Sequence, residues 1–188
     1  GYNSDTYGFS RSFKEESGTD FKRKKVVILG AGGAARAIAV KTALEGAASI
    51  EVINRTVSRA AEIADIIQQR LGVPARFIGS SDPLMYKFIE NADIIVNTTS
   101  VGMYPKMDES PIDENIGLRR DQIVYDIIYN PAKTLLLKNA EEYGCKVING
   151  LGMLFYQGIY AYEIWTGNKL NDKQVKDIYD SFMIILDR

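Results

Sequence analysis

Histidine is absent from this chain, and cysteine occurs only once, as Cys145. Without histidine, Ser-His-Asp and Cys-His catalysis, the common zinc sites and a histidine general acid are excluded, so any proton transfer must use Lys, Tyr, Asp, Glu or water. A single cysteine forms neither an internal disulfide nor a thiolate metal cluster, which is typical of a protein in a reducing cytosol. We therefore expect a cytoplasmic protein without a bound metal.

The sequence also lacks long apolar runs and a strong net charge. No apolar run approaches 18 residues, and the first residues are polar without a signal-peptide pattern, so we expect a soluble protein with no membrane partner. The formal net charge of −1 gives no reason to expect a nucleic-acid partner. The basic run at 22–25 precedes an apolar strand, and we interpret it as a solvated turn.

Apolar strand patterns alternate with helical patterns along the whole chain. The 188 residues, 46% of them hydrophobic, suffice for one sizeable core, and we treat 1–188 as one domain with an interdomain helix segment at 1–22 and a C-terminal helix at 171–188. The alternation predicts an α/β fold with a doubly wound parallel sheet in the order 3-2-1-4-5-6. The strands are predicted at 26–29, 50–53, 75–78, 93–97, 123–126 and 146–148. The helices are predicted at 5–15, 33–45, 56–70, 81–90, 133–143, 153–165 and 171–186.

A glycine-rich turn joins the first predicted strand to a helix, within VVILGAGGAARAI at 26–38. Gly30 permits a tight turn, Gly32 removes a Cβ where a pyrophosphate must approach the backbone, and Ala35 leaves room for the helix to pack on the strand. Such turns occur in many folds, but this one lies between a strand and a helix and ahead of a second strand, which is typical of a Rossmann dinucleotide site. The residues expected to contact the pyrophosphate are Gly30, Ala31, Gly32, Gly33 and Ala34.

The polar triplet Asn54-Arg55-Thr56 follows the second predicted strand. In a dinucleotide-binding unit a carboxylate at this strand end selects NAD, whereas an arginine tolerates the 2′-phosphate of NADP. Arg59 follows four residues after Arg55, so a helix opened by Thr56 would carry both guanidinium groups on one side of its first turns. The pattern predicts NADP as the cofactor, bound by Asn54, Arg55, Thr56 and Arg59. The alternative is two solvated arginines at a helix start.

Polar residues also follow the fourth predicted strand, as Thr98-Thr99-Ser100. In the predicted order this strand lies beside the first, where the strand order reverses and ligands bind. We predict that Thr99 and Ser100 contact the cofactor, and the alternative is an ordinary turn built from turn-forming residues. The stretch 101–121 has no clear periodicity, and a loop of this length is usually functional or mobile.

Six segments resemble those of the shikimate 5-dehydrogenase family, in the same order and at the same spacing, and the similarity covers essentially the whole chain. They are GYNSD at 1–5, GAGGAARA at 30–37, NRTVSR at 54–59, NTTSVGM at 97–103, DIIYNP at 126–131 with Thr134, and NGLGMLFYQG at 149–158 followed by Trp165. The resemblance implies an NADP-dependent oxidoreductase that reversibly reduces 3-dehydroshikimate to shikimate, in the chorismate pathway of aromatic amino-acid biosynthesis.

The resemblance also implies roles for residues on the substrate side. Asp5 matches the carboxylate that pairs with a catalytic lysine and bonds a substrate hydroxyl, although the residues alone also allow a helix N-cap, with Asn3 and Ser4 as competitors. Tyr129 and Gln157 match positions that hold the substrate carboxylate and a ring hydroxyl. The alternative for both is a satisfied polar group in the core.

Three further positions match the nicotinamide pocket of the family, namely Ile127, Gly150 and Met153. For Met153, the neighbouring apolar residues otherwise favour a role in core packing.

The sequence differs from the family in one respect. Family members have an N-terminal substrate domain of roughly a hundred residues, whereas this sequence opens at the motif that follows that domain. The catalytic lysine belongs to the missing domain, and no lysine here matches its motif. We therefore expect this chain alone to bind NADP but to turn over shikimate very slowly or not at all. We also expect the apolar end of the helix at 171–186 to expose a surface that suits a homodimer or the missing domain. Two alternatives stay open: a paralogue that acts on quinate or another ring acid, and a non-catalytic NADP-binding module that regulates a partner.

Overall fold

The structure, a computed structural model, describes residues 3–186. Gly1 and Tyr2 of the first motif, and residues 187–188 of the predicted C-terminal helix, lie outside the described residues. The strands are β1 Lys25–Leu29, β2 Ser49–Asn54, β3 Ala75–Gly79, β4 Ile94–Asn97, β5 Ile123–Asp126 and β6 Lys146–Ile148. The helices are α1 Ser4–Ser17, α2 Gly33–Leu44, α3 Val57–Leu71, α4 Leu84–Asn91, α5 Leu135–Glu142, α6 Leu151–Thr166 and α7 Asp172–Leu186.

The six strands form one parallel sheet in the order β3-β2-β1-β4-β5-β6. The predicted doubly wound Rossmann sheet and its strand order are therefore confirmed. The order reverses between β1 and β4, so the loops that leave these two strands meet at the carboxyl edge of the sheet.

Apolar side chains cover both faces of the sheet, and β1 shows how. Val26 and Ile28 point into a core shared with α1, α2, α3 and α6, whereas Val27 and Leu29 point into a second core shared with α4 and α5. Side chains alternate between the two faces of a strand, so a strand buried on both sides must be apolar throughout. This explains the uninterrupted apolar run at 26–29.

The long connection between β4 and β5 is fixed to the second core. Ile112, Ile116 and Leu118 are buried there, packed among residues of α4 and α5. Three buried apolar side chains therefore hold the second half of the stretch 101–121 against the body of the domain, whereas residues 103–109 are exposed.

The C-terminal helix α7 packs back on α6. Val175, Tyr179 and Phe182 contact a small cluster around Phe155 and Ile159. The predicted exposed apolar surface of this helix is therefore smaller than the sequence suggests, although Ile178 and Ile184 remain exposed. Within residues 3–186, none of the helices combines the length and the apolar character that crossing a membrane requires.

Candidate functional site

The first part of the site is the start of α2. Gly30 has φ +108°, and a Cβ there would lie 2.6 Å from the Thr98 hydroxyl, so only glycine fits this turn. Gly32 is the N-cap and contributes no capping side chain, and the first helical bond runs from the Arg36 N–H to its carbonyl oxygen, 3.0 Å. The preceding N–H groups of the helix therefore lack helical partners.

The space in front of this helix start is open. Gly32 and Gly33 are exposed, and a Cβ on either would meet no atom within 4 Å. The first turn of α2 carries no acidic side chain. Free N–H groups, the positive end of the helix dipole and the lack of a carboxylate together suit an anion such as a pyrophosphate. The structure brings Gly32, Gly33 and the half-buried Ala31 and Ala34 together at the start of α2, and their contact with a pyrophosphate stays a prediction.

The second part of the site is the end of β2, where Arg55 and Arg59 are both exposed. The half-buried Asn54 side chain donates from Nδ2 to the Thr56 carbonyl oxygen, 2.9 Å, and so holds the turn. Thr56 is the N-cap of α3, and its side chain makes no capping bond. No acid lies in the first turn of α3 either, so this corner is electropositive.

One geometric expectation about these arginines is wrong. Because α3 begins at Val57 with Thr56 as N-cap, Arg55 lies one residue before the cap and not on a helical turn. The helical spacing between Arg55 and Arg59 therefore does not apply, since the Thr56 backbone at that point is extended. Both side chains are attached to the short connection between the end of β2 and the first turn of α3.

The third part of the site is a cleft of about 490 Å³ at the ends of β4 and β5. One wall is the segment that leaves β4, and the other is the segment that leaves β5; we call them the β4 wall and the β5 wall. Tyr129 is 49% exposed, so the alternative of a core tyrosine is wrong. The residues lining the cleft are Thr98, Thr99, Ser100, Met103 and Tyr104 on the β4 wall, and Ile127, Ile128, Tyr129 and Asn130 on the β5 wall.

The Thr99 side chain belongs to the turn itself. Its hydroxyl donates to Asn97 Oδ1, 2.7 Å, and accepts from the Val101 N–H, 3.1 Å. These bonds support the turn-forming role that the sequence left open for Thr99. The exposed Ser100 also lines the cleft.

Beneath the cleft lies a buried polar network that sequence reasoning missed. Asn97 and Asp126 end the apolar strands β4 and β5, are paired in register and are both fully buried. Asp126 accepts hydrogen bonds from the Asn97 side chain, the Ile128 N–H and the Thr134 hydroxyl. Burial raises the pKa of the Asp126 carboxyl, and the three hydrogen bonds offset this only in part. A signal existed, since both strands end in a polar residue after an apolar run.

Helices α1 and α6 form the side of the site assigned to the substrate. Asn3 caps α1 by accepting from the Thr6 N–H, 3.2 Å, so the alternative of Asp5 as N-cap is wrong. Asp5 lies exposed in the first turn, and Gly8, three residues on, packs directly against Gln157 of α6. Asp5 and the half-buried Gln157 are therefore about one helical turn apart along the same helix contact.

The structure explains why positions 150 and 153 carry glycine and methionine. A Cβ on Gly150 would overlap the carbonyl oxygen of Ile127, so α6 begins in direct backbone contact with the β5 wall. Met153 is 8% exposed and packs in the core beneath α1, which agrees with the packing role, whereas Ile127 is half-buried and faces the cleft.

The chain is similar to known proteins in both sequence and structure. Residues 12–127 match the family model described as Shikimate / quinate 5-dehydrogenase, and residues 150–177 match the model of the shikimate 5′-dehydrogenase C-terminal domain. A shikimate dehydrogenase (NADP(+)) of Methanopyrus kandleri is 46% identical over 169 residues, which are 90% of this chain and 58% of that protein.

Two solved structures are similar over nearly the whole chain. Shikimate 5-dehydrogenase from Listeria monocytogenes, in complex with shikimate and NAD, has a TM-score of 0.86 and 38% identity, covering 95% of this chain and 63% of that one. A shikimate dehydrogenase in complex with NADP+ has a TM-score of 0.81 and 42% identity, covering 96% and 62%. The chain thus spans less than two thirds of the relatives it matches. By sequence and by fold, the chain belongs to the shikimate/quinate 5-dehydrogenase family.

Proposed function

We propose that this chain is the NADP-binding part of an enzyme that reversibly reduces 3-dehydroshikimate to shikimate. In this proposal the carboxyl edge of the sheet holds the cofactor, with the pyrophosphate at the start of α2, the 2′-phosphate at the end of β2 and the nicotinamide in the cleft between the β4 and β5 walls. The Methanopyrus relative and one of the two similar structures are named with NADP+, and the Listeria structure holds shikimate together with NAD. These ligands support a site for a nicotinamide cofactor and a ring acid in this chain.

The observation that supports NADP most directly is the chemistry at the end of β2. A carboxylate at this position would accept bonds from a free ribose 2′-hydroxyl and would repel a 2′-phosphate. This chain instead has the amide Asn54 followed by Arg55, with Arg59 exposed in the first turn of an α3 that carries no acid there. Guanidinium groups beside free helix N–H groups suit a dianion.

When bound, NADP supplies hydride exchange at its nicotinamide, and the chain's own residues orient the partners. Tyr129, exposed on the β5 wall, is proposed to hold the substrate carboxylate. Asp5 and Gln157, on the packed helices α1 and α6, are proposed to bond ring hydroxyls. Fixing both reactants on rigid elements makes their encounter effectively unimolecular.

We further propose that the chain alone is catalytically incomplete. It covers 58% of the Methanopyrus relative, and the family resemblance implies a catalytic lysine outside the part of the relatives that this chain covers. A missing general acid typically costs about 10²–10⁴-fold in rate. Very slow turnover of shikimate with NADP is therefore expected, and turnover of ~1–10³ per second, as in ordinary enzymes, would contradict this part of the proposal.

The cofactor proposal is tested by calorimetric titration of the chain with NADPH and with NADH. We expect a preference for NADPH that falls by roughly 10- to 100-fold in Arg55→Ala and in Arg59→Ala, because each removes a charge-assisted bond of about 1.5–3 kcal/mol. Arg70→Ala is the matched control, since Arg70 is an exposed arginine in the last turn of the same helix. Equal affinity for the two cofactors, unchanged by the first two substitutions, would refute the proposal.

A paralogue acting on quinate remains the second candidate, because the matched family model itself names both ring acids. The residues that distinguish shikimate from quinate are expected on the N-terminal substrate domain that the family resemblance implies. An experiment on substrate preference therefore needs a polypeptide that includes this domain. Parallel assays of that polypeptide with shikimate and with quinate would decide it. A chain that binds NADPH but belongs to a polypeptide inactive on both acids would favour a regulatory module.

A further inference from the structure

The buried carboxylate of Asp126 links the two walls of the cleft. β4 and β5 are parallel neighbours, and their last residues, Asn97 and Asp126, are paired in register. Each strand continues directly into one wall, so this residue pair lies at the base of both. Both residues are fully buried and neither lines the cleft.

Three hydrogen bonds converge on Asp126, and they come from different segments. Its Oδ1 accepts from Asn97 Nδ2, 3.0 Å, and from the Ile128 N–H of the β5 wall, 3.0 Å. Its Oδ2 accepts from the Thr134 hydroxyl, 2.7 Å, and Thr134 is the N-cap of α5. The carboxylate thereby fixes the β5 wall at both of its ends.

The same carboxylate orients the β4 wall through Asn97. With its Nδ2 donating to Asp126, the Asn97 amide must present Oδ1 in the other direction. That oxygen accepts from the Thr99 N–H, 3.0 Å, and from the Thr99 hydroxyl, 2.7 Å. If the amide were reversed, an NH₂ group would face two donors. Asp126 therefore fixes the orientation of the Asn97 amide that holds Thr99, while Thr98 of the same wall is held by two bonds to the Leu29 carbonyl oxygen.

A buried carboxylate lowers the stability of the folded chain unless its charge is compensated. Burial opposes its ionisation, and within the described residues its compensation comes from hydrogen bonds and not from a cation. Both oxygens of an ionised carboxylate act only as hydrogen-bond acceptors, so one carboxylate can hold three donor groups in fixed directions. A buried carboxylate with three such hydrogen bonds is expected where the positions of the neighbouring segments matter for binding.

We propose that Asp126 is a positioning residue that sets the two walls in the geometry that accepts the nicotinamide half of the cofactor. The inference rests on the proposed NADP site. Asp126 makes no hydrogen bond to the start of α2 or to the end of β2, although the β4 wall packs against Gly30 through Thr98 and Thr99. We therefore expect the influence of Asp126 to be strongest in the cleft and weakest at the end of β2, where the adenosine 2′-phosphate is proposed to bind.

The test compares two ligands on the full 188-residue chain: NADPH, and 2′,5′-ADP, which keeps the adenosine and its 2′-phosphate but lacks the nicotinamide. In Asp126→Asn an NH₂ group replaces one acceptor oxygen and the network loses a bond. We expect the affinity for NADPH to fall about five- to tenfold, from the lost bond and the looser walls. The affinity for 2′,5′-ADP should stay within about twofold.

A second pair of variants keeps the test decisive if Asp126→Asn does not fold. Thr134→Val removes the hydroxyl that donates to Asp126, and Thr134→Ser keeps it, while Thr134 itself is buried and outside the cleft. We expect the same selective loss for NADPH in the valine variant and recovery in the serine variant.

Two outcomes would overturn the inference, and they differ in what else they affect. If the parent chain binds both ligands and the variants weaken both by the same factor, or weaken neither, Asp126 is merely structural and the proposed function stands. If the parent chain binds neither ligand, the proposed cofactor site fails, and the inference fails with it.

Discussion

Helices α1 and α6, which carry Asp5 and Gln157, pack against each other at Gly8, and the closeness of this contact can be tested by substitution. A Cβ on Gly8 would lie 2.5 Å from the carbonyl oxygen of Met153 and 2.9 Å from the Cβ of Gln157. Ordinary contact begins at 3.4 Å, so Gly8→Ala requires the helices to separate by about 0.9 Å, the difference between 3.4 and 2.5. Gly158, in the interior of α6, is the matched control, because a Cβ there meets no atom within 4 Å.

Both substitutions increase helix propensity, but only Gly8→Ala introduces a steric overlap. Each replaces a glycine within a helix by alanine, which favours the helix by roughly 1 kcal/mol. Gly8→Ala additionally overpacks a backbone contact, which typically costs about 1–3 kcal/mol and sometimes more. With the upper part of that range, we expect Gly158→Ala to raise the free energy of unfolding by about 1 kcal/mol and Gly8→Ala to lower it by about 1–2 kcal/mol.

Thermal unfolding followed by calorimetry or circular dichroism measures the difference. At about 2–4 °C per kcal/mol for a domain of this size, a gap of ~2–3 kcal/mol places the two midpoints roughly 4–12 °C apart. If Gly8→Ala unfolds at the temperature of Gly158→Ala, or above it, then α1 and α6 are not in the backbone contact described, and the proximity of Asp5 to Gln157 loses its basis.

Two further predictions concern ionisable groups away from the cleft. Burial raises the pKa of the Glu16 carboxyl, while a hydrogen bond from Ser12 and the charge of Lys146 offset this only in part. Because the folded pKa exceeds the unfolded value, the parent loses stability as the pH rises from about 4.5 through the folded pKa. Glu16→Gln should therefore unfold at a higher temperature than the parent at pH 7.5, with a difference that disappears below pH ~4; a difference independent of pH would contradict this. Burial likewise raises the pKa of the Cys145 thiol, which is 7% exposed and donates to the Arg119 carbonyl oxygen. Ellman's reagent should label this thiol slowly in the folded chain and rapidly in denaturant, and rapid labelling of the folded chain would show that the loop around Arg119 opens.

The strands and their order were predictable because their signal is local. In β1 four consecutive apolar residues fill both cores, and the alternation of such runs with helical patterns leaves few topologies. Helix ends were harder to place. The helix predicted at 81–90 begins at Leu84, because Asp82 accepts from the Leu84 N–H and Pro83 is the N-cap.

The parts of the site that were predictable from sequence follow one segment of chain. Gly30 and Gly32 occupy the predicted turn between β1 and α2, since a strand, a tight turn and a helix follow one another without a break. The spacing of Arg55 and Arg59 was misjudged because one residue decides where α3 begins.

The parts that were not predictable depend on contacts between distant segments. Asn97 and Asp126 are 29 residues apart, and their hydrogen bond exists only because β4 and β5 become neighbours in register. No local pattern distinguishes a polar residue at a strand end that lines a cleft from one that holds the cleft walls from below. Gly150 is similar, because the Ile127 carbonyl oxygen that requires a glycine belongs to the distant segment that leaves β5.

We propose that the carboxyl edge of this sheet binds NADP, with its 2′-phosphate at the end of β2. A crystal structure of the chain with NADP+ bound would show whether it does. We expect the 2′-phosphate within hydrogen-bonding distance of the Arg55 and Arg59 guanidinium groups, and the pyrophosphate on the N–H groups at the start of α2. A 2′-phosphate that faces solvent, with both arginine side chains turned away from it, would show that this edge does not bind NADP as proposed.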